Sequence, residues 1–214
     1  MDDDAPLDPA ASAALIAEQR AKVQAATDVD GRVLFGAWGL AWFLGFGLLW
    51  LIGTNPPRLV VMENVAWLVF VGLLVAAGAV TAWHLTVKSR GVRGTSARQG
   101  AMYGWAWFLS FGVVAALGFA LDRAGANEES LGMAMMISSL LVVGALYMAG
   151  GAVWEEHRQF ALGAWICVAT IAAALVGAPH MLLVMSLAGG GGMLAAAAAE
   201  GVRRRRGAAP GQVL

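Results

Sequence analysis

Charge is scarce in this chain and absent where it would matter most. Asp, Glu, Lys and Arg make up 13% of it, against about a quarter of an ordinary soluble domain. None lies in residues 33–52, 65–87, 101–121, 131–154, 160–178 or 181–199. A bilayer core of about 30 Å is crossed by about 20 apolar residues as helix, so each of these six stretches is long enough to span it. Ionisable groups at mid-depth are the usual marker of an ion or proton pathway, and their absence argues against a pump built on a membrane carboxylate. Cysteine is limited to Cys167. That excludes an internal disulfide, and inside a predicted span the thiol reads as a small apolar filler. No His/Cys pattern has metal-ligand spacing. No glycine loop is followed by the Lys of a phosphate site, and no Ser, His and Asp share a depth. The expectation is no metal, no cofactor and no enzyme. The first 30 residues hold no apolar run, so no cleavable leader is expected. No aromatic or fold signal accompanies the basic residues, so no nucleic-acid partner is expected either.

Apolar surface is what the chain has in abundance, with 59% hydrophobic residues and a mean hydropathy of +0.69. The pattern predicts an all-α, polytopic integral membrane bundle of six transmembrane helices over residues 32–200. An acidic, partly helical cytoplasmic arm precedes it at 1–31 and a basic cytoplasmic tail follows at 201–214. In the arm, Asp8 before Pro9 reads as the cap and first residue of a helix running to about Ala26. Orientation follows from Lys and Arg: of these 14 residues, only Arg58 and Arg123 fall on one side of the predicted spans. Both termini are therefore expected in the cytoplasm, in a bacterial cytoplasmic membrane. Lys88, Arg90, Arg93 and Arg98 form one basic cluster, and Arg203, Arg204, Arg205 and Arg206 another. Such clusters attract anionic lipid, which makes it an expected partner besides the bilayer itself.

An internal repeat is visible. Leu40-Ala41-Trp42-Phe43-Leu44-Gly45-Phe46-Gly47 matches Trp105-Ala106-Trp107-Phe108-Leu109-Ser110-Phe111-Gly112, with an echo in Gly163-Ala164-Trp165-Ile166. The even spans share Ala76-Ala77-Gly78-Ala79-Val80, Ala149-Gly150-Gly151-Ala152-Val153 and the run from Ala188 through Gly192. These point to three parallel two-helix repeats, though apolar hairpins rich in Gly and Ala also look alike by composition alone.

Three groups of residues are candidates for function. Gly189, Gly190, Gly191 and Gly192 sit in the last span, where each glycine weakens a helix by roughly 1 kcal/mol relative to alanine. They suit either a hinge with carbonyls facing a site or a smooth face for close helix packing, and packing is the simpler expectation. Trp42, Trp107 and Trp165 lie too deep for the interfacial aromatic belt. Converging near a pseudo-axis with Ser139 and the glycines, they would bind an apolar solute or, by cation–π contact, a cationic one; otherwise they are packing residues. Glu155, Glu156, His157 and Arg158 would form a cytoplasmic gate or partner contact, or simply a solvated charge cluster.

Gly36-Ala37-Trp38-Gly39-Leu40-Ala41-Trp42, Gly91-Val92-Arg93-Gly94, Ala101-Met102-Tyr103-Gly104-Trp105-Ala106-Trp107, Tyr147-Met148-Ala149-Gly150-Gly151 and Leu187-Ala188 before the glycine run carry a resemblance. Over about residues 28 to 200 the chain resembles a family of small six-helix membrane proteins of high-GC Gram-positive bacteria, labelled as transporters. The resemblance implies a transporter and supplies no site residues. The expected function is a small-molecule transporter or membrane-embedded solute-binding subunit for an uncharged or apolar solute. The alternative is a non-transporting accessory or regulatory membrane protein that binds a protein partner through its arm and loops. A homo-oligomer is compatible with either.

Overall fold

The computed structural model describes residues 9–27, 29–54, 60–88 and 94–207. Asp8, Arg58, Arg90 and Arg93 lie outside them, as does the tail beyond residue 207. Helix α1 (Pro9–Thr27) precedes α2 (Gly31–Gly53), α3 (Val60–Lys88), α4 (Thr95–Arg123), α5 (Glu128–Val153) and α6 (His157–Val176). A last long helix is built from α7 (His180–Val184), a π-helical turn (Met185–Gly190) and α8 (Gly191–Gly207). From α2 onward these make six helices long and apolar enough to cross a membrane. No strand occurs among the described residues. In lipid, a spanning backbone satisfies its polar groups internally as helix or closed barrel, and uninterrupted apolar runs of this length leave helix as the outcome.

Local chemistry sets the ends. The Asp30 carboxylate accepts the Arg32 N–H at 2.9 Å at the start of α2. Asn127 accepts the Ser130 N–H at 2.8 Å for α5, and Glu156 the Arg158 N–H at 3.2 Å for α6. Each acceptor satisfies a donor that a helix start leaves unpaired. α8 does not stop at residue 200. Arg203 through Arg206 continue it, because a run of alanines and arginines favours helix and Glu200 pairs with Arg203 and Arg204 one turn on.

Neighbours in sequence pack as hairpins, α2 on α3, α4 on α5, and α6 on α7 and the π turn. Across hairpins, α5 packs on α6, and α2 on α7, the π turn and α8. The order through the bundle is α3, α2, last helix, α6, α5, α4. Trp42, Phe46, Leu49 and Phe70 share one buried cluster with Ile166, Met181, Met185 and Met193. Lipid tails are as apolar as these side chains, so the packing is held by van der Waals fit rather than by the hydrophobic effect. Small residues make that fit possible. A Cβ on Gly163 would lie 2.6 Å from both the Gly144 carbonyl and the Met148 nitrogen, so α5 and α6 meet backbone to backbone.

Candidate functional site

The four glycines fold as helix, and the first two close the π turn. There the Gly191 N–H is shared between the Ser186 and Ala188 carbonyls, and the wider turn is a feature that recurs at functional positions. Side chains from both neighbouring helices hold it. The Ser186 hydroxyl donates to the Phe43 carbonyl of α2 at 2.7 Å, and the Trp165 indole of α6 donates to the Ala188 carbonyl at 2.9 Å. Gly189 lies against the Trp42 ring, Gly190 against the Phe43 backbone and Gly192 against the Trp165 indole nitrogen. A side chain at 190 or 192 would collide with these neighbours, so glycine is required by proximity. Gly191 faces open space.

Two of the three deep tryptophans thus flank one segment. Trp42 is buried and Trp165 is half exposed. Trp107 stands elsewhere, stacked on Phe111 and edge-on to Tyr103 and Tyr147 at 6.1 Å each. α4 packs on α5, which keeps Trp107 away from the glycine segment. Ser139 is half-buried on α5, between α4 and α6. The repeated motif also differs in setting: Phe46 is 5% exposed on α2, whereas its counterpart Phe111 is 39% exposed on α4.

A second cluster closes one end of the bundle. Glu200, buried near the end of α8, accepts from Arg158 Nη1 of α6 and Arg203 Nε at 3.0 Å each, and from Arg204 Nε at 2.7 Å. Asp30, at the start of α2, pairs with Arg32 at 2.6 Å and stands 3.7 Å from Arg204. Its backbone N–H donates to His84 Nε2 of α3 at 3.1 Å, so that nitrogen carries no proton in this arrangement. The hydrogen bond from Arg32, with the Arg204 charge adding to it, outweighs burial and holds the Asp30 carboxyl at a pKa of about 2. The network ties together the ends of α2, α3, α6 and α8.

Of the residues around the α5–α6 turn, Arg158 joins this network. Glu156 caps α6, and Glu155 takes a left-handed backbone with φ 54°. His157 is exposed at the first position of α6. Sequence reasoning passed over Asp30 and Glu200, and the tether that Ser186 makes to α2. For Glu200 a signal existed, an isolated acid three and four residues before arginines at the end of an uncharged run. For Ser186 there was none, because its partner lies 143 residues away. Among the described residues, no group of three His, Cys, Asp or Glu side chains is arranged to hold a metal ion.

Comparison with family models, with curated proteins and with solved structures gave no match. The fold therefore defines the class by itself: an all-helical chain with six helices suited to cross a membrane, its last one distorted by a π turn between two tryptophans.

Proposed function

We propose that the protein is a transporter or membrane-embedded binding protein for a small uncharged or apolar solute. The π turn clasped between Trp42 and Trp165 carries this reading. A segment with four glycines bends at low energetic expense, and its two tethers, Ser186 to Phe43 and Trp165 to Ala188, are single bonds that can be exchanged. The surroundings offer aromatic faces, a hydroxyl and carbonyls but no ionisable group, which suits an uncharged solute. Three parallel hairpin repeats, with both termini cytoplasmic in a bacterial cytoplasmic membrane, complete the proposal. The gathering of Arg32, Arg158, Arg203 and Arg204 at one end supports that orientation.

Native mass spectrometry of the protein released from its membrane in mild detergent tests this. A small molecule is expected to co-purify, and Trp165→Phe, which keeps an aromatic ring but loses the indole donor, is expected to lower its occupancy. A bound molecule indifferent to both Trp165→Phe and Trp42→Ala in folded protein would place the site elsewhere. One observation favours a second reading, an accessory membrane protein: only Val114 is buried along the 29 residues of α4. A stoichiometric second protein in the same spectrum would support that reading instead.

A further inference from the structure

Glu200 does more than close a salt bridge. Its side chain is 8% exposed, while those of Arg158 and Arg203 are 57% and 51% exposed. Both arginines bond the same carboxylate oxygen, Oε2. Their donor nitrogens are therefore no further apart than two 3.0 Å bonds allow. One buried acid thus sets two outward guanidinium groups, one from α6 and one from α8, side by side. Arg203 Nη2 and Arg204 Nε share the other oxygen, and Arg205 and Arg206 follow on the surface. Three arginines share one carboxylate, so the cluster keeps a positive excess.

The surface running from these arginines toward Trp165 is apolar. On α6, Arg158 and Trp165 fall at i and i+7 on one helix face, with Leu162 buried between them. On α8, Gly192, Ala196, Ala199 and Arg203 fall on the face that Trp165 touches through Gly192. Ala199 is exposed, Ala196 half-buried, and Trp165 48% exposed. α6 packs more on α7 and the π turn than on α8, which leaves this strip of small residues beside Trp165 uncovered.

We infer that Arg158 and Arg203 bind the phosphodiester of an anionic glycerophospholipid, with an acyl chain lying along the alanine strip toward Trp165. Guanidinium is the group suited to forked hydrogen bonding of a phosphate. A soluble anion would use the arginines alone, whereas a lipid matches both the paired charges and the apolar strip below them. Glu200 is a positioning residue for this site.

That role separates a built site from general attraction of lipid to positive charge. Full-length protein in detergent is titrated with phosphatidylglycerol and phosphatidylcholine in equal amounts, and bound lipid is counted by native mass spectrometry. The wild type is expected to retain one phosphatidylglycerol selectively. Glu200→Gln makes the cluster more positive yet is expected to reduce that retention by roughly fivefold, and Arg158→Lys, with charge unchanged, by a similar factor, because both lose the paired fork. Retention that rises in Glu200→Gln, or stays level in Arg158→Lys, overturns the proposal in favour of diffuse attraction. Binding of inorganic phosphate with no phosphatidylglycerol retained overturns the lipid as occupant. Where Glu200→Gln loses its thermal transition, Arg158→Lys alone decides.

Discussion

Asp30 and Glu155 show opposite local economies. The Asp30 carboxyl is held at about 2, below its ordinary 3.8, by its bonds to Arg32. A depressed carboxyl adds stability at pH values above the unfolded pKa and loses it as pH falls through the folded one. The window lies between about 4 and about 2. Thermal unfolding in detergent across that range should show a smaller acid loss for Asp30→Asn than for the wild type, since asparagine keeps the helix cap and removes the charge. Glu155 instead spends conformational energy. Its positive φ lies at the end of α5, where the Glu156 N–H reaches the Gly151 carbonyl at 2.8 Å, a closure that favours glycine. Glu155→Gly should raise stability by about 0.5–1 kcal/mol in the same assay. A fall would mean that the Glu155 side chain makes a stabilising contact.

Helices in this protein are close neighbours or lipid-facing, and their glycines tell which. Gly163→Ala on α6 forces apart two backbones with no flexible atom to yield, at about 1–3 kcal/mol. Gly72→Ala on α3, where nothing lies within 4 Å, should be neutral or slightly stabilising. Equal transitions for the two variants would contradict the backbone contact between α5 and α6. Ser186→Ala should cost about 0.6 kcal/mol, the average for a hydrogen bond between membrane helices. The existence of the six helices was legible because absence of charge over about 20 residues is a local property. Their order through the bundle was not, because adjacency depends on how side-chain shapes meet across the chain. Nothing local in Trp42 and Trp107, set in matching motifs, foretold that one is buried at the π turn and the other joins Tyr103 and Tyr147. That α8 runs on through Arg206 was not legible for a related reason: arginine reads as a tail by charge but continues a helix by propensity.

For the molecule as a whole, the proposed orientation puts the Asp30–Glu200 cluster on the cytoplasmic side and the α4–α5 turn outside. Cys167 is the sole cysteine, so Cys167→Ser gives a background free of thiols. On it, a membrane-impermeant maleimide applied to intact cells should label Ala126→Cys and spare Glu155→Cys. The reverse labelling would invert the molecule in the bilayer.

The pairing of α2 with the last helix has a consequence for biosynthesis. Of these six helices, α2 leaves the ribosome before the other five, and α7, the π turn and α8 after them. Until they arrive, the face of α2 that carries Gly39, Trp42 and Phe43 has only lipid or a chaperone to lie against, and Asp30 waits for Arg204. The earliest of these helices to be made is thus the one that spends longest incomplete.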